Sequence, residues 1–152
     1  NLMAMNQLFY LLFKNKLPMV TAGGYYAIDV RTVAEALLNA ILLGKTGKYI
    51  VGGEYYSIKD LAAIYSEVNK LNGKRIAIPA GLMKLISLAV KPLEYFVKKP
   101  LPLNSYAVET LLNAHPNISS DRAIKDLELT PIPIEKTLED LHVWFINKLS
   151  YD

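Results

Sequence analysis

Tyr55 and Lys59 have the Tyr-x-x-x-Lys spacing in which a lysine activates a tyrosine hydroxyl for proton transfer to a carbonyl group. That chemistry needs both side chains on one face of one helix. Ser57 is a preferred helix N-cap residue, which places Tyr55 before the predicted helix begins. We therefore interpret this spacing as a coincidence.

Gly44, Lys45 and Thr46 match the end of a phosphate-binding loop. Such a loop runs from a strand into the N-terminus of a helix, where free N–H groups meet the anion. Here the motif follows the C-terminal end of a predicted helix, and the earlier glycine of the motif would fall at Asn39. We predict a glycine at a helix C-cap and no phosphate site.

Tyr25 and Tyr26 follow the pair Gly23-Gly24, just before a predicted strand. Two aromatic rings on a glycine-containing loop suit a mostly apolar pocket that also offers a hydroxyl group. Packing of both rings in the core is the alternative, and the sequence leaves it open. We predict Tyr25 and Tyr26 as substrate-binding residues.

Other polar and aromatic residues are interpreted as structural. Asp29, Arg31 and Glu35 form a charged set at a strand-to-helix junction, where Arg31 and Glu35 have the spacing of an i,i+4 pair. We expect this set to cap and orient the helix. His142 and Trp144 on the last helix are expected to pack. The sequence predicts no catalytic, cofactor-binding or metal-binding residue.

The composition indicates one folded domain and excludes several classes of protein. Of 152 residues, 52% are hydrophobic and 20% charged, which excludes a disordered chain. The 17 basic and 14 acidic residues give a net charge of +3, and the basic residues are scattered, so no nucleic acid partner is expected. The sequence has no cysteine, which fits a cytoplasmic location, and no apolar run reaches the roughly 18 residues of a membrane span.

Periodicity predicts a mostly helical chain with a few short strands. A strand, helix, strand order at 48–78 predicts a parallel strand pair. The helices at 2–13 and 31–43 are apolar on most sides, so we expect other parts of a protein to cover them, with homodimerisation through them possible. The predicted helices are 2–13, 31–43, 57–71, 81–90, 104–113, 120–127 and 133–149, and the predicted strands are 26–30, 48–51 and 75–78.

Three runs in order resemble the extended short-chain dehydrogenases/reductases: GGYYAIDVRTVAEA at 23–36, GKYIVGG at 47–53 and ISSDRAIKDL at 118–127, followed by Thr130-Pro131. The resemblance is to the NAD-dependent epimerase/dehydratase family and its dihydroflavonol-reductase-like branch. It implies an α/β fold, the C-terminal lobe of a Rossmann-type enzyme, with 1–152 as one substrate-binding lobe. The dinucleotide-binding half, with the catalytic Tyr-x-x-x-Lys, is expected to lie upstream of Asn1.

Two positions depart from the family pattern. Tyr25 stands where nucleotide-sugar epimerases often carry an arginine, which disfavours a nucleotide-sugar substrate. Thr32 stands where the family usually has an aspartate, which weakens the expected capping.

The resemblance implies the substrate-binding lobe of an NAD(P)-dependent oxidoreductase, epimerase or dehydratase that acts on a small carbonyl or hydroxyl substrate. NAD or NADP would bind to the other lobe, so the chain alone is expected to bind no cofactor and to be inactive. The alternatives are a non-catalytic binding or scaffold module of the same fold, and a membrane-surface module that uses the apolar stretch 80–97.

Overall fold

The structure is a computed structural model that describes residues 4–72, 75–83, 85 and 117–149. Over these residues the fold is mixed α/β, mostly helical with a few short strands, as the sequence predicts. The elements in chain order are α1 (Ala4–Phe13), β1 (Met19–Val20), β2 (Gly24–Ala27), α2 (Val30–Leu42), β3 (Glu54–Ser57), α3 (Ile58–Val68), β4 (Ile76–Ala77), α4 (Asp121–Asp126) and α5 (Ile134–Leu149).

The described strands form two separate pairs. Strands β1 and β4 are parallel, with Met19 opposite Ile76. Strands β2 and β3 are antiparallel and form a ribbon. The strand predicted at 26–30 is observed at Gly24–Ala27. It ends before Asp29 because the Asp29 side chain accepts the backbone N–H of Arg31 and caps α2. The predicted strand at 75–78 is confirmed by β4.

The prediction of a strand at 48–51 is wrong, and so is its parallel pairing with 75–78. Exposure does alternate along this segment: Tyr49 and Val51 pack inward, while Lys48 and Ile50 are exposed. An alternating segment becomes a strand only beside a second strand that satisfies its backbone groups. Among the described residues no strand lies beside 48–51, and β4 pairs with β1 instead.

The main core lies between α1, α3 and α5. Leu12, Leu61 and Tyr65 are fully buried, and Phe145 is 1% exposed. Rings of α1 contact this core directly: Phe9 lies 5.5 Å from Tyr65, centroid to centroid. Helix α1 is therefore covered within this chain, so the expectation that it needs cover from elsewhere is not met over its described side chains.

A second, smaller core joins α2 to α4. Ala36 packs against Ala123, Leu127 and Leu129. The Asn39 side-chain amide donates to the carbonyl oxygen of Leu127 at 2.8 Å, which fixes the middle of α2. One face of α2 is exposed in this chain, so the cover expected for it from other parts of a protein stays a prediction.

The remaining predicted helices are described only in part. Residues 80–83 are helical, whereas most of the predicted helix 81–90 and all of 104–113 lie outside the described residues, as does most of the apolar stretch 80–97. In the part of the chain that the structure describes, none of the helices has the length and apolarity to cross a bilayer.

Candidate functional site

The β2–β3 ribbon brings four tyrosines together in two cross-strand pairs. Tyr25 lies opposite Tyr56, and Tyr26 lies opposite Tyr55. Opposite residues of an antiparallel pair share one face and neighbours in sequence alternate, so the two pairs lie on opposite faces. Gly24 makes the close pairing possible, because a Cβ there would collide with the carbonyl oxygen of Tyr56.

The Tyr25–Tyr56 face of the ribbon packs against the main core. Burial raises the pKa of Tyr25 to about 12. Burial, reinforced by a 3.0 Å hydrogen bond from its hydroxyl to the Glu54 carboxylate, raises the pKa of Tyr56 to about 12. Tyr25 is thus placed where its ring stabilises the fold, and the two predicted substrate-binding tyrosines lie on different faces.

The Tyr26–Tyr55 face of the ribbon is an aromatic wall. The two half-buried rings lie 5.7 Å apart, edge to face. The Tyr26 hydroxyl accepts the backbone N–H of Ile118 at 2.6 Å, which holds this ring against the segment that leads into α4. A hydroxyl that accepts one hydrogen bond still has its own proton to donate. The wall can therefore stack on an apolar ligand and donate one hydrogen bond to it.

Tyr55 is the member of this wall that the sequence interpretation missed. The signal was present as a second glycine-tyrosine run: Gly23-Gly24 precedes Tyr25-Tyr26, and Gly52-Gly53 precedes 54–56, which ends in two tyrosines. Two such runs with matching tyrosine pairs indicate two strands of one ribbon.

Both motifs that were set aside are confirmed as structural. Tyr55 lies in β3, and Ser57 caps α3 by accepting the N–H of Asp60 at 3.0 Å, so Tyr55 and Lys59 do not share a helix. Gly44 has a φ of 60°, and the N–H of the next residue, Lys45, bonds back to the carbonyl oxygen of Ala40 at 2.9 Å. This is the Schellman ending that favours glycine.

Asp29 fixes the junction between the ribbon and α2. Its buried carboxylate accepts the backbone N–H of Arg31 at 2.8 Å and the Arg31 guanidinium at 2.9 and 2.7 Å. It also accepts the Thr137 hydroxyl of α5 at 2.7 Å. These hydrogen bonds, above all those from the Arg31 side chain, hold the pKa of Asp29 well below its usual range. Asp29 thereby anchors the end of the ribbon to α5.

The predicted pairing of Arg31 with Glu35 is not what the structure shows. The Arg31 guanidinium reaches Asp140 on α5 at 2.8 Å as well as Asp29. Arg31 lies in the first turn of α2, so its guanidinium can reach Asp29 just before the helix and Asp140 on α5. Its charge-assisted hydrogen bonds to the buried Asp29 carboxylate are strong. Over the described ranges, no three His, Asp or Glu side chains are grouped so that they could hold a metal ion.

His142 is half-buried and packs between the helices, as expected. Its Nδ1 shares a 2.8 Å hydrogen bond with the hydroxyl of the buried Tyr65, and its ring lies 5.1 Å from Phe13. Trp144 is 42% exposed, with its ring against Phe145 and the Lys148 ammonium 4.7 Å from its centroid.

Burial of His142 predicts a loss of stability in mild acid. Burial lowers the pKa of His142 below 6.5, so the unfolded chain binds the proton more readily than the folded chain. Stability is therefore retained above about pH 6.5 and lost as the pH falls from there toward the native pKa. Urea unfolding at about pH 7.5 and about pH 5.5 measures this loss.

His142→Gln is the matched variant, because glutamine supplies an acceptor for Tyr65 but does not titrate in this range. We expect a smaller loss between the two pH values for this variant than for the natural chain. Since both chains keep His115, equal losses would contradict a contribution from His142.

Comparison with known proteins shows a similarity to a curated protein and to a solved structure. No family model matches the chain. The chain is 30% identical over 125 residues to sterol demethylase protein B of Methylococcus capsulatus, a match that covers 81% of this chain and 38% of that protein. It also resembles the crystal structure of gox2253, with a TM-score of 0.72 at 24% identity, over 95% of this chain and 44% of that one.

These comparisons establish a shared α/β fold with gox2253 and a similarity to a protein named for an enzymatic activity. The chain spans about two fifths of the length of each of these proteins.

Proposed function

We propose that this chain is the substrate-binding part of a longer NAD(P)-dependent oxidoreductase of the extended short-chain dehydrogenase/reductase family. The observation that carries the proposal is the aromatic wall of Tyr26 and Tyr55. It lies in the two glycine-tyrosine runs, and the first of these begins the longest stretch that resembles the family. The nicotinamide would accept or supply a hydride when bound to the region outside this chain.

The substrate that this wall suits is an apolar ring compound with a carbonyl or hydroxyl group. Two tyrosine rings offer stacking surface, and the Tyr26 hydroxyl offers a proton to one oxygen atom. The relative named sterol demethylase protein B supports a polycyclic substrate of sterol type.

In this proposal the residues of the chain bind and orient the substrate and exclude water from it. Tyr26 and Tyr55 contact the ring system, and the Tyr26 hydroxyl orients the reacting oxygen. Asp29 acts through the backbone as a positioning residue, since its bonds to Arg31 and Thr137 fix the strand that carries Tyr26.

The chain alone is expected to bind neither NAD nor NADP, because the proposal places the phosphate-binding turn outside it. Isothermal titration calorimetry of the chain with both cofactors tests this. Micromolar binding of either cofactor would contradict the assignment of the chain to the substrate side.

The activity is tested with the full polypeptide encoded around this sequence, by following nicotinamide absorbance with ketosteroids and with hydroxysterols. Cofactor-dependent turnover of either class is the expected result. Full-length protein that binds a sterol but neither binds nor uses NAD(P) would indicate a non-catalytic binding module instead.

A further inference from the structure

Helix α2 exposes a continuous apolar stripe on one face. Val30, Leu37, Leu38, Ile41 and Leu42 are 77%, 66%, 55%, 79% and 71% exposed. Their spacing of three, four and seven residues places them on one side of the helix. A contiguous aliphatic surface of this kind on a folded chain marks an interaction site, unlike isolated exposed leucines.

The helix cannot rotate to bury this stripe, because its opposite side is already held. Thr32 and Ala36 are buried there, and the Thr32 hydroxyl accepts the N–H of Ile132 at 3.2 Å. Seven residues after Thr32, about two turns along the helix, the Asn39 amide donates to the carbonyl oxygen of Leu127. At the start of the helix, Arg31 is turned toward Asp29 and Asp140. The stripe therefore faces outward as a fixed feature of the fold.

We propose that this stripe docks onto an apolar face of the region that the longer polypeptide has outside this chain. The proposal rests on the proposed function, which makes the chain one part of a larger enzyme. The matched segments cover 38% and 44% of the two similar proteins, so more than half of each lies beyond the match. That is enough chain to form a second folded layer.

The chemistry of the stripe favours such a permanent contact. Its members are aliphatic, with none of the tyrosine, tryptophan or arginine that is enriched where separate proteins meet. A surface of leucine and isoleucine has the composition of a domain core, which is typical of permanent interfaces. A second copy of this chain is the competing occupant.

The absence of cysteine in this chain allows a direct test. Ile41→Cys places one thiol at the most exposed residue of the stripe, and Lys125→Cys places a control thiol on the exposed side of α4. Both variants are made in the chain alone and in the full polypeptide, and maleimide labelling is followed peptide by peptide by mass spectrometry. We expect the thiol at position 41 to react at least about tenfold more slowly in the full polypeptide, while position 125 changes little.

Equal labelling rates at position 41 in both proteins would overturn the proposal, and so would a coding sequence that extends no further than this chain. Protection at position 41 that rises with concentration in the chain alone would also overturn it, and would indicate a second copy as the occupant. A full polypeptide that protects position 41 but turns over no carbonyl or hydroxyl substrate would retain the docking and refute the proposed function.

Discussion

Replacing Phe145 with alanine is expected to lower the free energy of unfolding by about 4 kcal/mol, the middle of the range for buried phenylalanines. Phe145 is 1% exposed, and its ring joins α5 to α1 through Tyr10 at 5.7 Å and Phe13 at 5.5 Å. Its removal leaves a cavity between two helices, and α1 has few other contacts with α5 through which to close it.

Val143→Ala is the matched control for this variant. Val143 lies on the same helix two residues earlier and is 53% exposed, so its truncation is expected to cost no more than about 0.5 kcal/mol. Urea unfolding of the natural chain and both variants gives the comparison. A loss of less than about 1 kcal/mol for Phe145→Ala would show that the α1–α5 contact does not hold the fold together.

Asp29→Ala is expected to cost about 3 kcal/mol, because it removes a helix N-cap together with charge-assisted hydrogen bonds. The backbone N–H of Arg31 and the Thr137 hydroxyl would lose their acceptor at a site where Asp29 itself is 5% exposed. Loss of this anchor frees the junction between the ribbon and α2.

Two control variants separate the contribution of the N-cap from that of the Asp29 charge and from the effect of any substitution in α2. Asparagine caps helices as well as aspartate does, so Asp29→Asn should recover part of the loss. Glu35→Ala on the same helix should change stability by no more than about 0.5 kcal/mol, since Arg31 pairs with Asp29 and Asp140. A loss of stability for Glu35→Ala as large as that for Asp29→Ala would contradict this account and would indicate that Arg31 pairs with Glu35.

The helices could be predicted from sequence because their signals are local. Ser57 begins α3 by capping it, Gly44 follows the end of α2, and Leu138 and Phe145 mark the buried face of α5. Each of these signals depends on residues within two turns of the same helix. For the predicted helices that lie within the described residues, the structure changes the boundaries by a few residues and leaves the elements in place.

Strand pairing could not be predicted in the same way, because a strand depends on a partner that is distant in sequence. Residues 48–51 have strand-like alternation but no neighbouring strand among the described residues. The spacing of Tyr55 to Lys59 suggests a helical motif, whereas the partner of Tyr55 is Tyr26 across the ribbon. The candidate site depends on the register of β2 and β3, which places Tyr26 opposite Tyr55.

The exposed face of α2 has a similar explanation. Sequence periodicity identifies an apolar helix, but it does not say whether the cover comes from this chain or from another region. For α1 the cover is α3 and α5, and for α2 one face remains exposed.

The central claim is that the Tyr26–Tyr55 face binds the substrate, and kinetics of the full polypeptide with Tyr26→Ala test it most directly. Tyr56→Ala is the control, because Tyr56 is in the same ribbon but on the face that packs on the core. We expect Tyr26→Ala to lower kcat/KM for the sterol-type substrate by about tenfold or more while the affinity for NAD(P) is unchanged. Tyr56→Ala should lower stability and leave kcat/KM within about twofold. Unchanged kcat/KM for Tyr26→Ala, or equal losses for both variants, would contradict the claim.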